Sequence, residues 1–375
     1  MRMLTPTFPG SEEHIDELVD KGIAAAMAIA DDGDSKAFRA VRIIHQHAAN
    51  GATMRLTITA AACAFGMMLA PRPGVALDYP TKPVHVIVPF TAGGAPDVLM
   101  RLLGQKLAEK WGQGVVIENR AGGNTLIGTV AGAKSAPDGY TLTLAADQTF
   151  VLNPLLYSSL PYSMQEFDPI ILMASIPHML AVANKVPVTN VRELIALAKA
   201  KPETITFGTT GPGTIQRIAT EYFAGIAGIK LVHVPYKGAN ETTTAILSGE
   251  IDMTINGMSN ILPHIGEGKL KALAISTATR NPLAPDVPTM QEAGVPGYAS
   301  QGSFGLFAPA GTPKDIVDKV YADTAAVLAL PDVKKALEAR SFVLDGSGPA
   351  DFEKFIAAED VKWRKVIKEA DVHIN

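Results

Sequence analysis

Three times along this chain a short, largely apolar run leads into a glycine-bearing loop and then into a helical pattern. Residues 85–89 lead into 91–97, residues 115–117 into 121–128, and residues 205–208 into 209–214. Largely apolar runs of this length suit buried strands, and the helices between them supply the covering layers. The pattern therefore predicts an α/β fold built on parallel sheets. Pro96 fits the first turn of the first helix, where Val98, Leu99, Leu102, Leu103 and Leu107 recur at helical spacing. Residues 140–145, 170–174 and 179–183 read as further strands. A second, smaller α/β unit begins near Val191, with strands at 205–208, 231–234, 251–255 and 272–275 and helices around 215–224 and 242–247. Residues 281–296 read as a surface connection, 304–308 as a returning strand, and Thr312 as the cap of a late helix.

The N-terminal part follows different rules. Met54 and Arg55 precede an apolar run over 56–70, then Pro71-Arg72-Pro73 and the small residues Gly74-Val75-Ala76. A basic residue, a short apolar core and small residues before a cleavage point form a secretory signal pattern, too short for a spanning helix. Residues 54–76 are thus expected to be a signal peptide. Cleavage after Ala76 would remove the single cysteine, Cys63, so neither an intrachain disulfide nor a multi-cysteine metal site is available. Residues 1–53 carry several acidic side chains and match no targeting segment. They are expected to be a mis-assigned extension upstream of the true start at Met54. The competing reading is a short cytosolic helical appendage, which would make export doubtful.

Each glycine-bearing loop sits where ligands bind in parallel sheets, beyond the carboxyl ends of strands, where helix N-termini present free N–H groups and a positive dipole end. Glycine removes the side chain that would hold a small ligand away from those groups. Such a site favours an anion. Net charge supplies no alternative means of attraction, since 33 basic side chains face 37 acidic ones. The same balance gives no basic footprint for nucleic acid. Dinucleotide, phosphate-loop and nucleophile-elbow motifs are missing from the chain. His85, His178, His233, His264 and His373 are scattered without metal-ligand spacing, and no metal or cofactor is expected. Asp97 could bond a ligand or complement the helix dipole. Thr209, Thr210 and Thr214 offer hydroxyls whose default work is capping. Lys237 reads as solvated, and Asp147 would bring negative charge to the rim after residues 140–145.

The ordered strings Val88-Pro89-Phe90, Gly93-Gly94-Ala95-Pro96-Asp97, Glu118-Asn119-Arg120, Ala136-Pro137-Asp138-Gly139-Tyr140-Thr141, Val234-Pro235-Tyr236-Lys237-Gly238, Leu247-Ser248-Gly249-Glu250-Ile251-Asp252 and Gly305 to Pro313 resemble the Bug family. These are the periplasmic solute receptors of tripartite tricarboxylate transporters. The resemblance implies a type II periplasmic-binding-protein fold of two α/β lobes joined by two crossover strands, with lobe I at 77–180 plus 304–375 and lobe II at 181–303. It implies a carboxylate held by backbone N–H groups, hydroxyls and waters. By that likeness Phe90, Thr91, Ala92, Gly93 and Asp97 form one pincer and Gly122, Gly123, Asn124 and Thr125 a second. Both would face Thr209, Thr210, Gly213, Thr214 and Asn256, with Asp147 and Ser303 also counted among the ligand-binding residues. Asn124 and Thr125 stand where the family usually has glycines, Gln216 where histidine is frequent, and Ser303 where tryptophan is common.

The expected function is that of a receptor, not an enzyme: a monomer in the periplasm that captures a small organic anion by lobe closure and delivers it to membrane permease subunits. A monocarboxylate, or an amino- or aromatic-bearing acid, is expected as readily as a tricarboxylate. A cytosolic α/β enzyme acting on a small acid and a receptor serving a sensor are the alternatives.

Overall fold

The computed structural model describes residues 78–370 and Val372. The expected signal peptide at 54–76, Cys63, residues 1–53 and His373 lie outside the described residues.

The apolar run Val84–Val88 (β1) forms the middle of a parallel trio. It pairs with Val115–Asn119 (β2) on one side and Thr141–Ala146 (β3) on the other. The helices Ala95–Trp111 (α1) and Leu126–Ala133 (α2) make the two crossovers. Gln301–Pro309 (β9) runs antiparallel beside β3 and then beside Phe167–Ala183 (β4). A second parallel trio places Thr206–Thr209 (β5) between Val232–Pro235 (β6) and Met253–Gly257 (β7). Here β7 and Leu270–Ile275 (β8) flank the last part of β4.

One 17-residue strand thus belongs to both sheets. The two separate strands expected at 170–174 and 179–183 are a single element. The interruption Ser175-Ile176-Pro177-His178 resembles a break in sequence, but in the fold it is a change of partners. Up to Pro177 the strand is laddered with β9, and from His178 onward with β7 and β8. Proline has no N–H to donate, so it is tolerated where one ladder ends and another begins.

The remaining helices are Asn153–Leu156 (α3), Val191–Ala200 (α4), Ile215–Ala227 (α5), Ala239–Ser248 (α6), Met258–Gly266 (α7), Lys314–Leu328 (α8), Pro331–Glu338 (α9) and Pro349–Ala370 (α10). The expected Thr312 cap is not made. Pro313 holds the cap position, and the Thr312 hydroxyl donates to Pro309 O at 2.7 Å. A strand at Val343–Ser347 (β10), pairing with β4, has no counterpart in the sequence reading. Residues 281–296 are also more than a surface connection, because Met290 and Val295 are buried in the second core.

Two apolar cores follow the two sheets. One joins residues of β1, β3, α1 and the first half of β4 to β9 and α8, and the other gathers the last part of β4 with β5, β7, β8 and α4 to α7. A third cluster packs Phe150, Phe307, Phe352 and Trp363 with Ile215 and Ile218 of α5. Each of these large side chains contributes roughly 2 to 3 kcal/mol through burial. The C-terminal helix α10 is thereby fastened to α5, with Trp363 edge-on to Tyr222 at 6.1 Å.

Candidate functional site

Strand direction decides where a ligand can meet this chain. The carboxyl ends of β1, β2 and β3 lie along one rim and those of β5, β6 and β7 along another. At the end of β3, Ala146 pairs with Phe304, which itself pairs with Ala174 of β4. At the end of β7, Gly257 pairs with His178 of β4. The two rims therefore meet at the crossover between Ala174 and His178. Among the described residues no hydrogen bond joins the loops of one rim, Phe90 to Asp97 and Gly122 to Thr125, to the loop Thr209 to Thr214 of the other.

In the first loop Thr91, Ala92 and Gly93 are exposed, while the Phe90 ring packs on the first core. Asp97 is almost wholly buried, and both of its oxygens are committed. Oδ2 accepts from Gly93 N at 2.8 Å and Arg101 Nε at 3.0 Å, and Oδ1 accepts from Asn119 Nδ2 at 2.8 Å. Burial alone would raise its pKa, but these bonds outweigh it and hold the carboxyl below its usual range. Asn119 also donates to Phe90 O at 3.2 Å. Asp97 thus shapes the loop from within. Helix α1 begins after Gly94 with no side chain capping it, so its first N–H groups are not taken by a cap.

The second loop is shaped by side chains where glycine alone would be conformationally easy. Gly122 and Gly123 are exposed at φ 127° and 55°, and Asn124 and Thr125 follow at φ 56° and 73°. Asparagine tolerates this left-handed region, but β-branched threonine is an outlier there, at a cost of order 1–3 kcal/mol. A polar network offsets it. Asn124 donates to Asn153 Oδ1 at 2.8 Å and accepts from Gln148. The Thr125 hydroxyl lies 3.0 Å from that of Thr149, and Asn153 Nδ2 donates to Asn124 O at 3.0 Å.

On the second rim Gly213 is buried and the threonine hydroxyls are already engaged. Thr209 bonds Gly211 O at 3.0 Å and His233 Nε2 at 2.7 Å, Thr210 donates to Gln216 Oε1 at 3.2 Å, and Thr214 donates to Gly211 O at 2.9 Å. They stiffen the loop and leave the start of α5, which has no side-chain cap, to offer backbone N–H groups. Burial, with Arg217 nearby, depresses the His233 pKa to about 4, so the ring is neutral at neutral pH. Lys237 is exposed. Asn256 is fully buried at the end of β7, its Oδ1 accepting from Gly257 N at 2.8 Å.

At the crossover the structure joins two expected residues directly. The Asp147 carboxylate accepts from Ser303 N at 3.1 Å and Gln148 N at 2.8 Å. Burial pushes its pKa up to about 7 in spite of those bonds. Sequence reasoning missed Asn119, Gln148, Thr149 and Asn153. The last three lie on or beside a π-helical turn, Gln148–Leu152, for which no sequence pattern gives notice. Among the described residues no group of three or more His, Cys, Asp or Glu side chains could hold a metal. A separate groove of about 660 Å³ lies by Ala183, Lys185, Ser248 and Lys269, at the opposite end of β7 from the rim. Its lysines are paired with Asp252 and Glu267, each at 2.9 Å.

Both rims therefore offer uncapped helix starts and the first also exposed glycines, and the cations beside the first rim are matched: Arg101 by Asp97 and Arg120 by Glu118. Comparison with known proteins gives the family. Residues 99–372 match the family model described as the tripartite tricarboxylate transporter family receptor. Protein BugT of Bordetella pertussis is 34% identical over 293 residues, covering 78% of this chain and 90% of BugT. The structure of R. palustris Rpa4515 with adipate superposes with a TM-score of 0.75 at 34% identity, covering 79% of this chain and 99% of that one. MatC from Rhodopseudomonas palustris with bound malate gives 0.71 at 29% identity, covering 77% and 100%. The chain belongs to the tripartite tricarboxylate transporter receptor family, whose members are solute-binding receptors and not enzymes.

Proposed function

We propose that this chain is an exported receptor that captures a small organic carboxylate by lobe closure and delivers it to the membrane subunits of a tripartite transporter. Lobe I comprises 77–180 with 304–375, and lobe II comprises 181–303. The observation that carries this reading is the convergence of both sets of strand ends on the β4 crossover. Uncapped helix starts line both rims, and Arg101 and Arg120 are spent on Asp97 and Glu118. A carboxylate bound there is held by aimed N–H groups, which give specificity because a buried donor left unpaired is costly. Phe90 to Gly93 and Gly122 to Thr125 close on it from lobe I, and Thr209 to Thr214 with Asn256 from lobe II. Asp97 positions the first loop, and Asp147 with Ser303 braces the crossover. The carboxylates named in the two R. palustris structures support this class of ligand, and the leader at 54–76 supports export to the periplasm.

The test is a thermal-shift and calorimetric panel of adipate, malate, citrate and simple monocarboxylates, with small-angle scattering with and without the tightest of them. At least one acid should raise the melting temperature and contract the particle. A panel in which no acid binds would overturn the proposal.

A further inference from the structure

One buried side chain serves both of the left-handed residues in the second loop. Asn153 is fully buried where the π-helical turn Gln148–Leu152 ends, and its backbone N–H donates to Gln148 O. Its Nδ2 donates to Asn124 O at 3.0 Å and to Thr125 Oγ1 at 3.3 Å, while its Oδ1 accepts from Asn124 Nδ2 at 2.8 Å. The π-turn makes this grip possible. In an α-helix the residue five places on stands well round the axis, but the i→i+5 bond of a π-turn brings it back over the first. Asn153 therefore stands with Gln148, which donates to Asn124 Oδ1, and with Thr149, whose hydroxyl lies 3.0 Å from that of Thr125. The apolar side chains of the same segment, Phe150, Leu152 and Leu156, are packed with Ile215 and Ile218 of α5, and Tyr162 donates to Thr149 O at 2.7 Å. The clamp is itself anchored.

What the clamp holds is the start of a helix. Thr125 stands immediately before α2, at φ 73°, and no side chain caps that helix, so the backbone of Thr125 decides where the first N–H groups of α2 are aimed. A β-branched residue keeps such a backbone only where its surroundings over-determine it. Without Asn153, Asn124 and Thr125 relax toward ordinary φ and the loop becomes an ensemble. We propose that Asn153 is a positioning residue for ligand capture: shut off from solvent itself, it presents the second loop to the acid already in its binding shape. Binding then carries no cost for ordering that loop, and loss of the clamp transfers the cost to the binding step. This rests on the carboxylate-receptor reading above and adds to it a residue that acts through others.

The experiment is calorimetry on the full chain, well below its melting temperature, with adipate, malate, citrate and acetate as probes, joined to hydrogen exchange of the unliganded protein. Wild type, Asn153→Ala and Val320→Ala are compared. Val320 is fully buried in the first core on α8, so Val320→Ala weakens the fold without reaching the second loop. Exchange is read at Leu126, Ile127 and Thr129, whose N–H groups donate to the carbonyls of Gly123, Gly122 and Thr125. Asn153→Ala should weaken the best-bound probe by about tenfold or more and speed exchange at those three amides by a similar factor. Val320→Ala should lower the melting temperature while changing affinity by less than about twofold. If Asn153→Ala does not fold, Asn153→Ser, which keeps a hydroxyl in the same space, decides by the same two readouts. Unchanged affinity in the Asn153 variant, unchanged exchange, or an equal loss of affinity in Val320→Ala overturns the positioning role alone. Binding of no probe by wild type overturns the receptor reading and this role with it, so the two failures are distinguishable.

Discussion

Replacing Asp97 by Asn tests whether the first loop is held from within by that carboxylate. All of its partners are donors: Gly93 N, Arg101 Nε and Asn119 Nδ2. An amide has one oxygen, so Asp97→Asn must turn an NH2 toward donors on one side or the other. Hydrogen bonds to a charged group are worth about 1.5–3 kcal/mol each, and a buried donor left unpaired adds its desolvation cost. Arg101 is half exposed at 52% and can turn to water, so its share is small. The loss rests on Gly93 or Asn119, and about 2–4 kcal/mol is expected. Urea unfolding followed by tryptophan fluorescence measures it, since Trp111 ends the same helix. Arg101→Met is the control and should cost less than about 1 kcal/mol. A loss below about 0.5 kcal/mol for Asp97→Asn, or an equal loss for Arg101→Met, would refute the reasoning. The Asp97 pKa is depressed, so its contribution is present above the unfolded carboxylate value and disappears as pH falls through the folded one. The gap between wild type and Asp97→Asn should therefore narrow in acid.

Asp147 behaves in the opposite sense. With its pKa raised to about 7, it binds its proton more tightly when folded, so stability is lost as pH rises from about 4 through 7, with a ceiling of about 4 kcal/mol. Asp147→Asn should remove that slope, and melting curves of variant and wild type that stay parallel from pH 5 to 8 would contradict it. Gly128→Ala places a methyl 2.8 Å from Arg120 O and 2.9 Å from Pro89 Cα, pushing α2 off β1, so a loss of about 1–3 kcal/mol is expected in chemical denaturation. Thr125→Val keeps the left-handed strain and discards the hydroxyl bonded to Thr149. A double-mutant cycle with Thr149→Val should return a coupling of about 1 kcal/mol, and zero coupling would refute the network's role.

The line between what the sequence carries and what it hides runs between local and long-range determinants. Strand runs, glycine loops and helix faces are local, and β1 to β3 and β5 to β7 lie where apolar pattern and glycine put them. The residues around 175–178 mislead because a proline in an apolar run reads as a stop. Only the sheets reveal that the chain there exchanges one set of partners for another. Asp97 was legible as a residue of the loop but not as its organiser, since Asn119 lies 22 positions away in sequence on the neighbouring strand. The threonines of 209–214 invited a reading as ligand donors, yet a hydroxyl has one proton and the loop's own geometry uses it.

The sequence by itself determined that this is an α/β chain whose glycine loops open helices beyond strand ends, with too little positive charge to hold an anion by net attraction. Those properties depend on residue type and short spacing. Tertiary structure alone decided that both rims meet at one crossover, that Asp147 braces Ser303 across 156 residues, and that Asn256 keeps an unpartnered donor at the start of α7. Pairing and burial are relations between distant segments, and they come into being when the sheets form.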